Sequence, residues 1–142
     1  MHKENKCAAL FNKETAIYEI ADMLDMQAKL QKNLAAKGCA VDYDNADFKT
    51  KVDDITRQWR NMNTEMTELL DRLPWKEWKS YSSEQLKGFE SDEARLETWY
   101  EAIDVFHFFL NVCLALGIDG ETFKRLYATK NKENFDRQAR GY

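Results

Sequence analysis

The stretch Glu97-Thr-Trp-Tyr-Glu101-Ala-Ile-Asp104-Val-Phe-His107-Phe-Phe-Leu-Asn111-Val-Cys-Leu-Ala-Leu116-Gly117 decides the fold. Across residues 103–116 nearly every side chain is apolar, which predicts a helix buried all round and stopped by Gly117. The polar exceptions are Asp104, His107 and Asn111, with Glu97 and Glu101 just ahead. At about 100° per residue, Glu97, Glu101, Asp104 and Asn111 share one narrow stripe, with His107 at its edge. Each carboxylate on a buried helix costs several kcal/mol even after relaxation. Something must compensate them, and on that helix only Arg95 is placed to reach the stripe. A divalent cation is the natural candidate.

A matching pair lies upstream. Phe48, Val52, Ile55, Trp59, Met62, Met66 and Leu69 recur in steps of four and three, one apolar stripe of a helix that should end before Pro74. Glu65 and Glu68 are neighbours to one side of it. An isolated ExxE is ordinarily a solvated face. Two helices that each offer two carboxylates at i and i+3 would instead make an oxygen-rich cage of the kind magnesium prefers. Further out, a helix is predicted from about residue 15 to residue 37, with Ile17, Ile20, Ala21, Leu24 and Ala28 at helical spacing and Gly38 as its stop. Residues 39–46 and 74–91 read as connections, the second with some short helix. The first long helix, the Glu65 helix and the Asp104 helix make three. A fourth spans about 120–129, followed by a polar tail. The expectation is an all-α bundle of about four main helices, a single domain over residues 1–142.

Composition sets the outer limits. In 142 residues, 44% hydrophobic side chains exclude a disordered chain, and one proline with five glycines is too few for a many-stranded β fold. A net charge of −4 argues against binding a nucleic-acid polymer. Within residues 123–142, however, Lys124, Arg125, Lys130, Lys132, Arg137 and Arg140 face only Glu133 and Asp136, a zone suited to a small anionic ligand. Cys7, Cys39 and Cys113 form no CxxC pair, and with two histidines a structural zinc site is disfavoured. Reduced thiols and a cytoplasmic setting are expected. The polar start at residues 1–6 leads into a short apolar patch, with no signal peptide or membrane span visible.

In this order the motifs resemble a known family, the dimeric all-α dUTPases related to the MazG-like nucleotide pyrophosphatases. The resemblance runs from about Ile17 to Tyr142 and is closest to the compact bacterial and phage members. Met26-Gln27 followed by Leu30 is similar to the family's early Gln-containing helix, with Gln31 where relatives often carry Asn or Asp. Glu65-Met-Thr-Glu68-Leu69 and Trp75-Lys76-Glu77-Trp78-Lys79 are similar to its ExxEL and WKxWK segments. Glu101-Ala-Ile-Asp104-Val-Phe-His107-Phe108 resembles its ExxDxxHF signature. The end of the chain, from Lys130-Asn131 through Asn134 and Arg137-Gln138 to Gly141-Tyr142, resembles its KNxxNxxRQxxGY ending.

The resemblance implies hydrolysis of dUTP, with dUDP as a further candidate substrate, to dUMP by Mg-assisted in-line water attack, with pyrophosphate released from dUTP. Glu65, Glu68, Glu101 and Asp104 would hold two or more Mg²⁺ ions, with Glu65 also taking the proton of the attacking water. A substrate-binding tail at about 130–142 would bring Lys130, Asn131, Asn134, Arg137 and Tyr142 to the nucleotide, joined by Lys79. Gln27 would read the base edge, and Phe108, His107 and Asn111 would line the sugar. The implied partner is a second copy of the chain, in the host cytoplasm if the gene is a phage's. Two alternatives stand beside this reading. One is a broader deoxynucleotide pyrophosphatase acting on dCTP and dUTP; the other is a nucleotide-switched binding protein for a regulatory partner.

Overall fold

The computed structural model describes residues 7–141. Among them every regular element is helical, with no strand. A 3-10 turn at Ala8–Leu10 precedes α1 (Ile20–Ala36), α2 (Phe48–Asp71), the single-turn α3 (Ser83–Lys87), α4 (Asp92–Ala115) and α5 (Gly120–Ala139). The four long helices agree with the all-α expectation. The polar start at residues 1–6 and the expected substrate contact at Tyr142 lie outside the described residues. Among the described residues no single helix is long and apolar enough to cross a membrane.

Helix ends follow local chemistry. Gly38 and Gly117 both adopt positive φ (72° and 75°), a conformation that side chains with a Cβ rarely take. Each closes a Schellman motif: Cys39 N–H donates to Leu34 O and Ile118 N–H to Cys113 O, both at 2.9 Å. The start of α1 corrects the sequence reading. Glu19 has extended backbone, and its N–H donates to the Asp22 carboxylate at 3.1 Å, so the helix opens at Ile20 and not near residue 15. Ile17, expected on its apolar face, is fully exposed (100%). At the other end, α5 continues to Ala139 where a non-helical tail was expected. Lys132–Asp136 (2.6 Å) and Glu133–Arg137 (3.7 Å) ion pairs at i,i+4 support the extension.

The chain divides into two compact units, to which α2 and α4 each contribute. One contains residues 7–16 and Arg57–Phe109; the other contains Ile17–Thr56 and residues 110–141. The second unit holds the apolar core of Leu24, Tyr43, Leu110, Cys113 and Ala115. There α5 begins directly against α1, and a Cβ on Gly120 would fall 2.5 Å from the Cα and Cβ of Ala21. A Lys124–Glu19 ion pair joins the same two helices. Tyr43 donates its hydroxyl hydrogen bond to the buried Asp54 carboxylate.

In the first unit the buried groups are polar: Gln58, Glu97 and Thr98. Its linker is held by an edge-to-face pair, Trp75 and Trp78, with ring centroids 5.6 Å apart. Two expectations change. α4 is not covered all round, because Trp99, Ile103 and Phe109 remain exposed. Along α2 the apolar stripe is largely outside, with Phe48, Val52, Trp59 and Met66 exposed, while Asp54 and Gln58 take the inside. Tyr43 supplies a hydrogen-bonding partner to Asp54 on the polar face, and among the described residues the apolar face stays largely in water.

Candidate metal centre

Three carboxylates converge in the first unit. Glu65, from the later part of α2, and Glu101 and Asp104, on adjacent turns of α4, each place an oxygen within 4.8 Å of the other two. All three are half-buried. Glu68, expected as a fourth ligand, sits exposed one turn beyond Glu65. It still acts on the group: burial first, then the charges of Glu68, Asp104 and Glu101, push the Glu65 carboxyl above the ordinary glutamate range. Like charges this close repel, and a proton or a cation among them relieves that repulsion.

One cation is supplied by the chain, and it is not Arg95. That residue pairs with Asp92 (2.9 Å), lies 5.1 Å over the Trp99 ring, and keeps a buried Nε without a partner. Arg72, immediately after α2, donates from its Nε to Glu101 Oε1 at 2.7 Å. Sequence reasoning missed it, although the signal was present. Arg72 follows Glu65 by seven residues and Glu68 by four, the spacing of one helix face. A single guanidinium against three carboxylates leaves the cluster net negative. A hard divalent cation is the ligand whose chemistry such oxygen donors fit.

Glu97, one turn ahead of Glu101, is engaged otherwise. Its carboxylate accepts from the Ala8 backbone N–H at 2.5 Å and is buried. Neighbouring Cys7 has its thiol pushed up by burial and then by the charges of Glu97, Asp104 and Glu101. All three cysteines are free thiols, as composition led us to expect.

The expected substrate residues fall into distinct settings. In the first unit, Lys79 is exposed with Nζ 5.8 Å over the Tyr81 ring. His107 is exposed, its Nδ1 3.6 Å from Asp104 Oδ1, while Phe108 is half-buried. In the second unit Gln27 and Asn111 are both buried, and the Gln27 amide donates to Asn111 Oδ1 at 2.9 Å. On α5, Lys130, Asn134 and Arg137 recur at steps of four and three and so share a face, with exposed Asn131 beside it.

An all-helical chain with an acidic cluster shared by two helices is a class, and sequence comparison narrows it. No family model and no solved structure matches the chain. It is 36% identical over 137 residues to the dCTP pyrophosphatase of Enterobacteria phage T4, covering 84% of this chain and 80% of that protein. Over 71 residues it is 51% identical to the dCTP pyrophosphatase of Enterobacteria phage LZ5, covering 48% of this chain and 41% of that one. It thus spans about two fifths of the LZ5 protein's length. A DNA replication protein of phage T4 is 34% identical over 127 residues, with 78% of this chain and 32% of that protein covered. The chain belongs to the family of the phage dCTP pyrophosphatases.

Proposed function

We propose that this protein is a magnesium-dependent deoxynucleoside triphosphate pyrophosphatase that takes dCTP, and dUTP beside it, to the monophosphate and pyrophosphate. The observation that carries the reading is the Glu65, Glu101 and Asp104 cluster in a chain related over most of its length to a dCTP pyrophosphatase. That relationship favours the broader dCTP and dUTP specificity over a strict dUTPase.

Glu65, Glu101 and Asp104, with Glu68 at the margin, are the residues that would hold the metal. Bound there, Mg²⁺ would neutralise triphosphate oxygens and acidify a water. The chain's own residues do the rest. Glu65 is the proton acceptor, because burial and its acidic neighbours raise its affinity for a proton toward the range a general base needs. A carboxylate oxygen of Glu65 takes the proton as the water oxygen bonds to phosphorus and the α–β anhydride bond breaks. Arg72 keeps Glu101 in one orientation. The Lys130, Asn134 and Arg137 face of α5 offers cationic and amide donors suited to phosphate oxygens. Gln27 and Asn111, each a donor and acceptor, are assigned to the nucleoside.

The partner we propose is a second copy of the chain. Trp59, Trp99, Ile103 and Phe109 in one unit, and Met23, Met26 and Leu30 in the other, are large apolar side chains left in water. Sedimentation equilibrium should return twice the 16.7 kDa chain mass.

A panel of deoxynucleoside and ribonucleoside triphosphates, assayed for pyrophosphate with and without Mg²⁺, tests the enzymatic reading. Turnover of dCTP and dUTP only when the metal is present is the expected result. No release from dCTP, or full activity in Glu65→Gln, would overturn it.

A further inference from the structure

Glu97 stands apart from the other acidic groups of the first unit. It lies one turn ahead of Glu101 and two ahead of Asp104 on the same face of α4, the stripe whose later members enter the carboxylate cluster. Glu97 is nonetheless the more deeply buried, 6% exposed against half-buried Glu65, Glu101 and Asp104. A carboxylate buried beside like charges is costly unless it is hydrogen-bonded. The amino-terminal segment answers it: the Ala8 N–H donates to Glu97 Oε1 at 2.5 Å.

The segment that makes this bond is lightly held. The Leu10 and Phe11 N–H groups donate to Cys7 O and Ala8 O, and those of Glu14 and Thr15 to Asn12, so these bonds stay within the segment. Every residue from Ala9 to Glu19 is exposed, the large Leu10 side chain at 74%. Its beginning nevertheless lies beside the cluster, since the charges of Glu97, Asp104 and Glu101 all reach the Cys7 thiol.

We infer that Glu97 is a latent ligand of the metal centre, latched by the Ala8 N–H, and that a divalent cation draws it into the cluster and frees the amino-terminal segment. The inference rests on the metal-dependent reading above. A neutral N–H dipole and a doubly charged ion compete for one carboxylate, and the ion has the stronger field. Glu101 is already shared with Arg72, so the cluster offers an ion less charge than three unpaired carboxylates would. Glu97 is the further carboxylate one turn along the same face, and it adds a hard oxygen of the kind a divalent ion takes. The Ala8 N–H, in a segment exposed from the next residue onward, then passes to water. Occupancy of the metal centre is thereby transmitted to residues 7–16.

The test uses the full chain with Mg²⁺ alone, without nucleotide, followed by ¹H–¹⁵N NMR and amide hydrogen exchange. Shifts of the Glu65 and Asp104 amides report that the ion is bound. On binding, the Ala8 amide should exchange about tenfold faster, the worth of one charge-assisted hydrogen bond, while the α4 amides are slowed or unchanged. Glu97→Gln keeps an oxygen for the Ala8 N–H and removes the charge. In that variant Mg²⁺ should bind about tenfold more weakly, the scale of altering a group beside a metal, and Ala8 should stay protected at saturation. A merely structural Glu97 predicts the same Ala8 protection with and without the ion. That result, slower Ala8 exchange, or an unchanged Mg²⁺ affinity in Glu97→Gln would overturn the inference. Should Glu97→Gln not fold, Ala8 exchange in the wild-type chain decides alone. An ion bound at Glu65 and Asp104 with Ala8 still protected keeps the metal-dependent reading and loses this one. Release of Ala8 by Mg²⁺ in a chain that hydrolyses no dCTP does the reverse, and no binding of Mg²⁺ overturns both.

Discussion

Arg72 Nε lies 2.7 Å from Glu101 Oε1, with the two side chains 23% and 12% exposed, and this ion pair is the built-in cation of the carboxylate cluster. A charge-assisted hydrogen bond in such a setting contributes about 1.5–3 kcal/mol. Arg72→Met should lower stability to urea by that amount in EDTA. Because the variant's cluster is one charge more negative, added Mg²⁺ should restore more stability to it than to the wild type. Equal Mg²⁺ gains in both proteins would separate Arg72 from the proposed metal site.

Glu65 gives a pH dependence with a definite sign. Its folded-state pKa lies above the ordinary glutamate value, by burial first and then by Glu68, Asp104 and Glu101. The folded protein holds this proton more tightly than the unfolded chain. The resulting stability is fully present below the ordinary glutamate pKa and is lost as pH rises through the raised one. In EDTA, melting temperature should fall across that window in the wild type and stay flatter in Glu65→Gln. With Mg²⁺ and dCTP the same variant should lose about 10²–10⁴ in kcat, the usual scale for a missing general base. Parallel melting curves in EDTA would remove Glu65 from the cluster.

Thiol reactivity reads the cluster without any enzymatic assay. Cys39 is exposed and should react with a disulfide reagent first. Cys113 is buried, its thiol pushed up by that burial, and should wait for unfolding. Cys7 is also raised, by burial and then by Glu97, Asp104 and Glu101. Mg²⁺ should therefore quicken Cys7 and leave Cys39 unchanged. A Cys7 rate indifferent to Mg²⁺ would place the ion elsewhere.

Gly120 sets how closely α5 meets α1. Its missing Cβ would overlap Ala21 at 2.5 Å, and overpacking of this kind costs about 1–3 kcal/mol. Gly120→Ala should be less stable by that amount in denaturant titration, despite alanine's better helix propensity. An unchanged midpoint would show that the two helices separate freely.

Much of this was legible in the sequence because it is local. The i and i+3 spacing of Glu101 and Asp104 and the glycines at 38 and 117 act within a turn or two, so the acidic face and two helix stops could be read directly. Arg72 was legible in principle, since it continues the face of Glu65 and Glu68. The Ala8–Glu97 bond was not, because it joins residues 89 apart through a main-chain group that no side-chain pattern announces. The α2 stripe misled in a different way. Periodicity tells which residues share a face and leaves open whether the chain itself covers it, and here Asp54 and Gln58 went inside.

The Ala8–Glu97 contact also divides evolutionary freedom unevenly between its two ends. Glu97 contributes a particular side chain, whereas residue 8 contributes only the N–H that nearly every amino acid possesses. Position 8 can thus drift through almost the whole alphabet without disturbing the bond, and proline alone is forbidden to it. Position 97 has no such latitude, because a shorter or apolar side chain leaves the N–H unanswered. Among phage relatives the visible constraint should fall on one residue of the pair, while its partner looks unconstrained in any alignment.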